Sequence, residues 1–207
     1  MTALHKVLLH LSVASGLFSA TPAVAGPQRP QVWVLLRNDA RADPKLVDSA
    51  EAELARLYAL IDVDLVWVTE IPTPEKRLHV ICLVNGEPAG RSLPETALGY
   101  TPAGHGQRGV LAYVFLRRIE RASQRFKARI DFVLAVSIGH ELGHMLLPDG
   151  SHVKSGLMRA EWDNLDFGSA SSGLLRFSRE SGDLIRRGLA DQTASSAPAR
   201  LSAPLGR

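Results

Sequence analysis

Cysteine is nearly absent: Cys82 stands alone among 207 residues. A lone thiol excludes an intramolecular disulfide framework and any multi-cysteine metal site. Charge of one sign is also scarce. Lys plus Arg number 24 against 21 Asp plus Glu, a formal net charge of +3, too little to form a nucleic-acid groove. Charged residues at 22% and a mean hydropathy of +0.01 fit neither wholesale disorder nor a multi-span membrane protein. Internal repeats are lacking. No GxxxxGK[ST] phosphate loop and no nucleophile-elbow motif occurs, and Ser137 sits inside an apolar stretch with no triad arguable around it.

One apolar run stands out, and it is short. Residues 7–20 make a predominantly apolar stretch of 14 residues, fewer than the roughly 20 needed to span a bilayer. Lys6 precedes the run and Ala23-Val24-Ala25 follows it, the pattern of a cleaved export signal, so cleavage is expected before Gly26. No cysteine follows the run to mark a lipid-modified start. The expected organisation is a signal peptide at 1–25, a single domain at 26–190 and a disordered, Ala/Ser/Pro-rich tail at 191–207. A secreted or periplasmic location follows, with no membrane span after cleavage. The single thiol suits that compartment, because Cys82 lies in an apolar, strand-like run and reads as a small buried hydrophobe.

Within 26–190, residues 31–36 are β-branched, aromatic and almost continuously apolar, as in a buried strand. Asp43-Pro44 supplies an N-cap and a first-turn proline. Leu46, Val47, Ala50, Leu54, Leu57 and Tyr58 then recur at helical spacing over 44–60. Segments 63–68, 78–84 and 109–116 read as further strands. Residues 85–108, rich in glycine and proline, read as loop, and the 104–109 glycine stretch as a rim rather than a phosphate site. Six bases lie in 117–129, Arg117, Arg118, Arg121, Arg125, Lys127 and Arg129, which read as a solvated helix face. Residues 177–189 read as a short packing helix, and Trp33 and Trp162 as core aromatics. The fold class is α+β, a mixed β-sheet packed with helices around a central buried helix.

That central helix is residues 130–147, apolar almost all round. Two histidines and a glutamate inside it are costly unless partnered. His140 and His144 are four apart and share a face. With Glu141 between them they form HExxH, in which two neutral imidazoles bind zinc and the glutamate reaches a metal-bound water. A catalytic site of this kind needs a third protein ligand and an open position. With Pro148 ending the helix and Asp149-Gly150 turning the chain, His152 is the first choice, with Glu161 and Asp149 as rivals.

The run HELGHMLLPDGSH, followed by Ser155-Gly156-Leu157-Met158, resembles the zincin metallopeptidases and, within them, the metzincins. Metzincins pair an HExxHxxGxxH ligand run with a methionine turn beneath the metal. His140, Glu141 and His144 match position for position. Leu147 stands where the family has glycine, and Gly150 stands at its third histidine, two residues before His152. Met158 matches the methionine turn in kind. The resemblance implies a Zn2+-dependent peptidase acting on a peptide or protein substrate, with Glu141 as general base and His140 and His144 as metal ligands. The export signal makes it secreted, and spacing offers His152 as the third ligand. The competing expectations are an exported zinc-binding module without turnover, and an envelope protein that docks on anionic polymers through the 117–129 bases.

Overall fold

The computed structural model describes residues 29–70, 77–102, 110–147 and 152–196. The expected leader, the 104–109 glycine stretch and the Pro148-Asp149-Gly150 turn lie outside the described residues. Five strands and five helices follow in the order β1 (Gln31–Asn38), α1 (Pro44–Ala59), β2 (Asp64–Trp67), β3 (Leu78–Val84), β4 (Gly99–Tyr100), β5 (Leu111–Phe115), α2 (Leu116–Phe126), α3 (Ile130–Leu146), α4 (Asn164–Ser171) and α5 (Arg179–Ser196). The strands form one mixed sheet in the order β2-β1-β3-β5-β4. β1, β2, β3 and β5 run parallel, and β4 closes one edge antiparallel to β5 with Tyr100 opposite Tyr113. The α+β class expected from the sequence is the observed one.

Local chemistry accounts for the elements. The Asp43 carboxylate accepts from the Lys45 amide at 2.9 Å and opens α1 ahead of Pro44. Ala50, Leu54, Leu57 and Tyr58 then form its buried face. α2 ends where Lys127 turns left-handed at φ 51°, and the chain re-enters a helix at Ile130. α3 has 12 of its 17 residues buried, in keeping with its unbroken apolar sequence. It packs on α1, on α2, α4 and α5, and on strands β3, β4 and β5. The Tyr58 hydroxyl donates to the Gly139 carbonyl at 3.2 Å, which ties α1 to α3 beside His140.

Four features depart from the sequence expectations. The segment read as loop contains β4, a two-residue strand that only its pairing with β5 defines. α4 was not expected, since Asn-Leu-Asp-Phe-Gly-Ser-Ala-Ser has low helix propensity. A capping box holds it: the Asp163 side chain accepts from Leu165 and Asp166 amides at 2.8 and 3.1 Å, and Asp166 accepts from the Asp163 amide at 3.0 Å. α5 runs on to Ser196, past Asp191, where the tail was expected to start. Arg118 is no part of a solvated face. Its side chain is 12% exposed, pairs with Glu87, and donates to the Pro94 and Ala97 carbonyls at 2.7 and 2.8 Å. Among the described residues no helix is long and apolar enough to cross a membrane.

Candidate metal centre

Three imidazoles meet on one side of α3. His140 and His144 project from successive turns of the helix, and His152 arrives on the returning segment. Nε2 of His140 lies 3.0 Å from Nε2 of His144 and 3.3 Å from Nε2 of His152. One ligand atom from each of the three falls within 4.8 Å of the others. His140 is held hardest. Its Nδ1 lies 2.8 Å from the Leu157 carbonyl oxygen. A carbonyl only accepts, so Nδ1 carries the proton and Nε2 presents its lone pair to the cluster. Burial drives the His140 pKa down to about 3. His144 adds to that fall, the Leu157 hydrogen bond opposes it, and His152 contributes least. Burial also lowers the pKa of His152, although its ring is the most exposed of the three.

The donor set fits a zinc ion. Three convergent neutral imidazoles, one with its tautomer fixed by a carbonyl behind it, are the ligand chemistry and the outer hydrogen bonding that zinc sites use. Without a cation, one of the two facing Nε2 atoms must carry a proton for the 3.0 Å approach of His144 to His140 to be a hydrogen bond. The described residues bring no fourth imidazole, thiol or carboxylate into the cluster. Glu161 is exposed and stands outside it, while Asp149 lies outside the described residues.

The support beneath the cluster comes from the segment that follows His152. Val153 donates to the Met158 carbonyl at 2.9 Å, and Leu157 donates to the Arg176 carbonyl at 2.7 Å. Gly156 makes this turn possible. Its φ is +77°, and a Cβ there would stand 2.6 Å from the Arg176 carbonyl oxygen. Met158 is fully buried against Gly143, the residue before His144, and a methyl group at 143 would collide with its sulfur. Trp162 is more than a core aromatic. Its ring stands edge-on to His140, with centroids 5.6 Å apart and planes at 89°.

Glu141 supplies no ligand atom to the histidine cluster. It is 6% exposed, and burial lifts its carboxyl to about 7, with the Thr101 hydrogen bond opposing that rise. The Thr101 hydroxyl lies 2.7 Å from Oε2 of Glu141 and 3.1 Å from its carbonyl oxygen. Thr101, the Leu157 carbonyl and the Arg118 clamp are site elements that the sequence did not disclose.

No protein-family model matches the chain, and no curated protein does. A solved structure does: the archaemetzincin of Methanopyrus kandleri, with a TM-score of 0.50 and 16% sequence identity over 80% of this chain and 99% of that one. At that identity the likeness is one of fold.

Proposed function

We propose that this chain is a zinc-dependent peptidase, exported by way of residues 1–25. The observation that carries the reading is the convergence of His140, His144 and His152 on one point, with Glu141 adjacent in the chain but outside the cluster. A zinc ion held there supplies Lewis acidity towards a scissile carbonyl and lowers the pKa of water towards about 7. His140, His144 and His152 hold it as neutral ligands, and the Leu157 carbonyl keeps the His140 lone pair aimed inwards. Glu141 takes a proton from water on its carboxylate and returns it to the departing amine nitrogen. β4 is one of the two edge strands of the sheet and, among the described residues, pairs only with β5, so its other edge suits an extended peptide added as a further strand. The fold likeness to an archaemetzincin supports the same reading.

The module without turnover requires a closed, four-ligand site. Three ligands among the described residues favour the open alternative. Glu141→Gln separates the two. The variant is expected to keep one zinc per chain and to lose about 10²- to 10⁴-fold in peptide hydrolysis. Turnover equal to wild type, or a wild-type chain that takes up no zinc, would refute the proposal.

A further inference from the structure

The edge strand does more than offer hydrogen bonds to a peptide. β4 lies across the Glu141 side chain. A Cβ at Gly99 would stand 2.5, 2.6 and 2.8 Å from Oε1, Cγ and Cδ of Glu141, so the backbone of Gly99 rests directly on that carboxylate. Two residues on, the Thr101 hydroxyl reaches Oε2 at 2.7 Å and the carbonyl oxygen of the same residue at 3.1 Å. One hydroxyl therefore spans the side chain and main chain of Glu141 and ties the carboxylate to its own turn of α3. Among the described residues Thr101 is the hydrogen-bond donor to that carboxylate.

The strand is itself held from behind. Leu98 accepts from the Phe115 amide at 2.9 Å. Arg118 gathers Glu87, Pro94 and Ala97 in the segment leading into β4. A buried carboxylate with a glycine above it and a fixed hydroxyl beside it has little rotational freedom.

We propose that Thr101 is the positioning residue for Glu141, holding the carboxylate in one orientation beneath β4 while Gly99 leaves the room it needs. The inference deepens the peptidase reading and rests on it. In this role Thr101 acts through Glu141 rather than on the reacting atoms. A methyl group in place of the hydroxyl keeps the shape of the residue and removes the donor, so Thr101→Val isolates the hydrogen bond. Thr101→Ser restores the donor.

The experiment uses the full chain and a quenched-fluorescent peptide selected from a mixed-sequence library. Thr101→Val is expected to lower kcat by about 10²-fold, the scale of loss when a catalytic group is misplaced by about 1 Å. KM and zinc per chain should stay at wild-type values, and Thr101→Ser should recover most of the loss. Wild-type kcat in Thr101→Val, a serine variant as poor as valine, or a loss confined to KM or zinc content would each overturn the proposal. Urea unfolding of the chelator-treated chain gives a second readout, independent of activity. Thr101→Val, Glu141→Ala and the double variant form a cycle in which coupled residues give midpoint losses that fail to add. If wild type cleaves no peptide, the peptidase reading has failed, and the cycle alone judges the contact. Additive losses there would overturn the positioning role, and non-additive losses would uphold it.

Discussion

Acid should destabilise this protein through a residue remote from its chemistry. His79 sits on β3 opposite Val34 of β1, between Leu78 and Val80, and is 2% exposed. Neither ring nitrogen makes a hydrogen bond of good geometry, and the Trp33 backbone is the polar group that reaches the ring. Its pKa falls from an ordinary 6.5 to about 4. Burial is the main cause, the positive charge of Arg77 adds to it, and the Trp33 backbone opposes it only in part. The sign follows from where the proton goes. Between pH 6.5 and about 4 the unfolded chain binds it and the folded chain does not, so stability present above pH 6.5 is lost as the pH falls towards 4. At about 1.4 kcal/mol per pH unit, that window corresponds to about 3 kcal/mol, a large share of the 5–15 kcal/mol typical of a domain. The assay is urea unfolding of chelator-treated protein at half-unit steps from pH 7.5 to 4, for wild type and His79→Leu. The leucine variant should lose about 3 kcal/mol less over the window. Two curves that stay parallel within about 0.5 kcal/mol would refute the argument, because such a difference exceeds the usual extrapolation error.

Zinc content by mass spectrometry should separate the third-ligand candidates. His152→Ala is expected to lose stoichiometric zinc while staying folded, since its ring is exposed, and Glu161→Ala to keep one zinc per chain. Gly156→Ala places a side chain at φ +77° and 2.6 Å from the Arg176 carbonyl oxygen, which must displace the Leu157 carbonyl from His140. Zinc affinity, titrated against a competing chelator, should fall about 10- to 100-fold, the usual cost of losing an outer hydrogen bond to a ligand. An unchanged affinity would show that the carbonyl does not orient the ring.

How much of this was legible depended on how far each feature reaches along the chain. β3 is found at the residues its apolar run marks, 78–84, and α1 ends one residue short of its expected limit. Both are patterned over enough positions for a period to register. Two residues, as in β4, carry no period, and that strand exists through Gly99 opposite Val114 on β5. α4 depends on Asp163 and Asp166 rather than on an apolar stripe. The site divides the same way. His140 and His144 are one helical turn apart, and His152 follows after a short return, so residue type and spacing identify them. Thr101 meets Glu141 from 40 positions away, and the group behind His140 is a main-chain carbonyl, which carries no residue identity. Arg118 looked like one base among six because its acceptors, Glu87 and two carbonyls, lie on a distant loop.

The all-nitrogen cradle has a consequence for how the protein must be handled. α3 is anchored by 12 buried residues, so two of the three imidazoles are in place before any ion arrives. A prebuilt set of borderline-soft donors, with no thiolate or carboxylate beside it among the described residues, follows the general affinity order in which copper(II) outranks zinc and nickel(II) stands close behind. Purification on an immobilised nickel column, or from copper-rich medium, would therefore load the cradle with the ion met in quantity. Preparations stripped and refilled with zinc alone are the ones in which the proposed peptidase activity should be assayed.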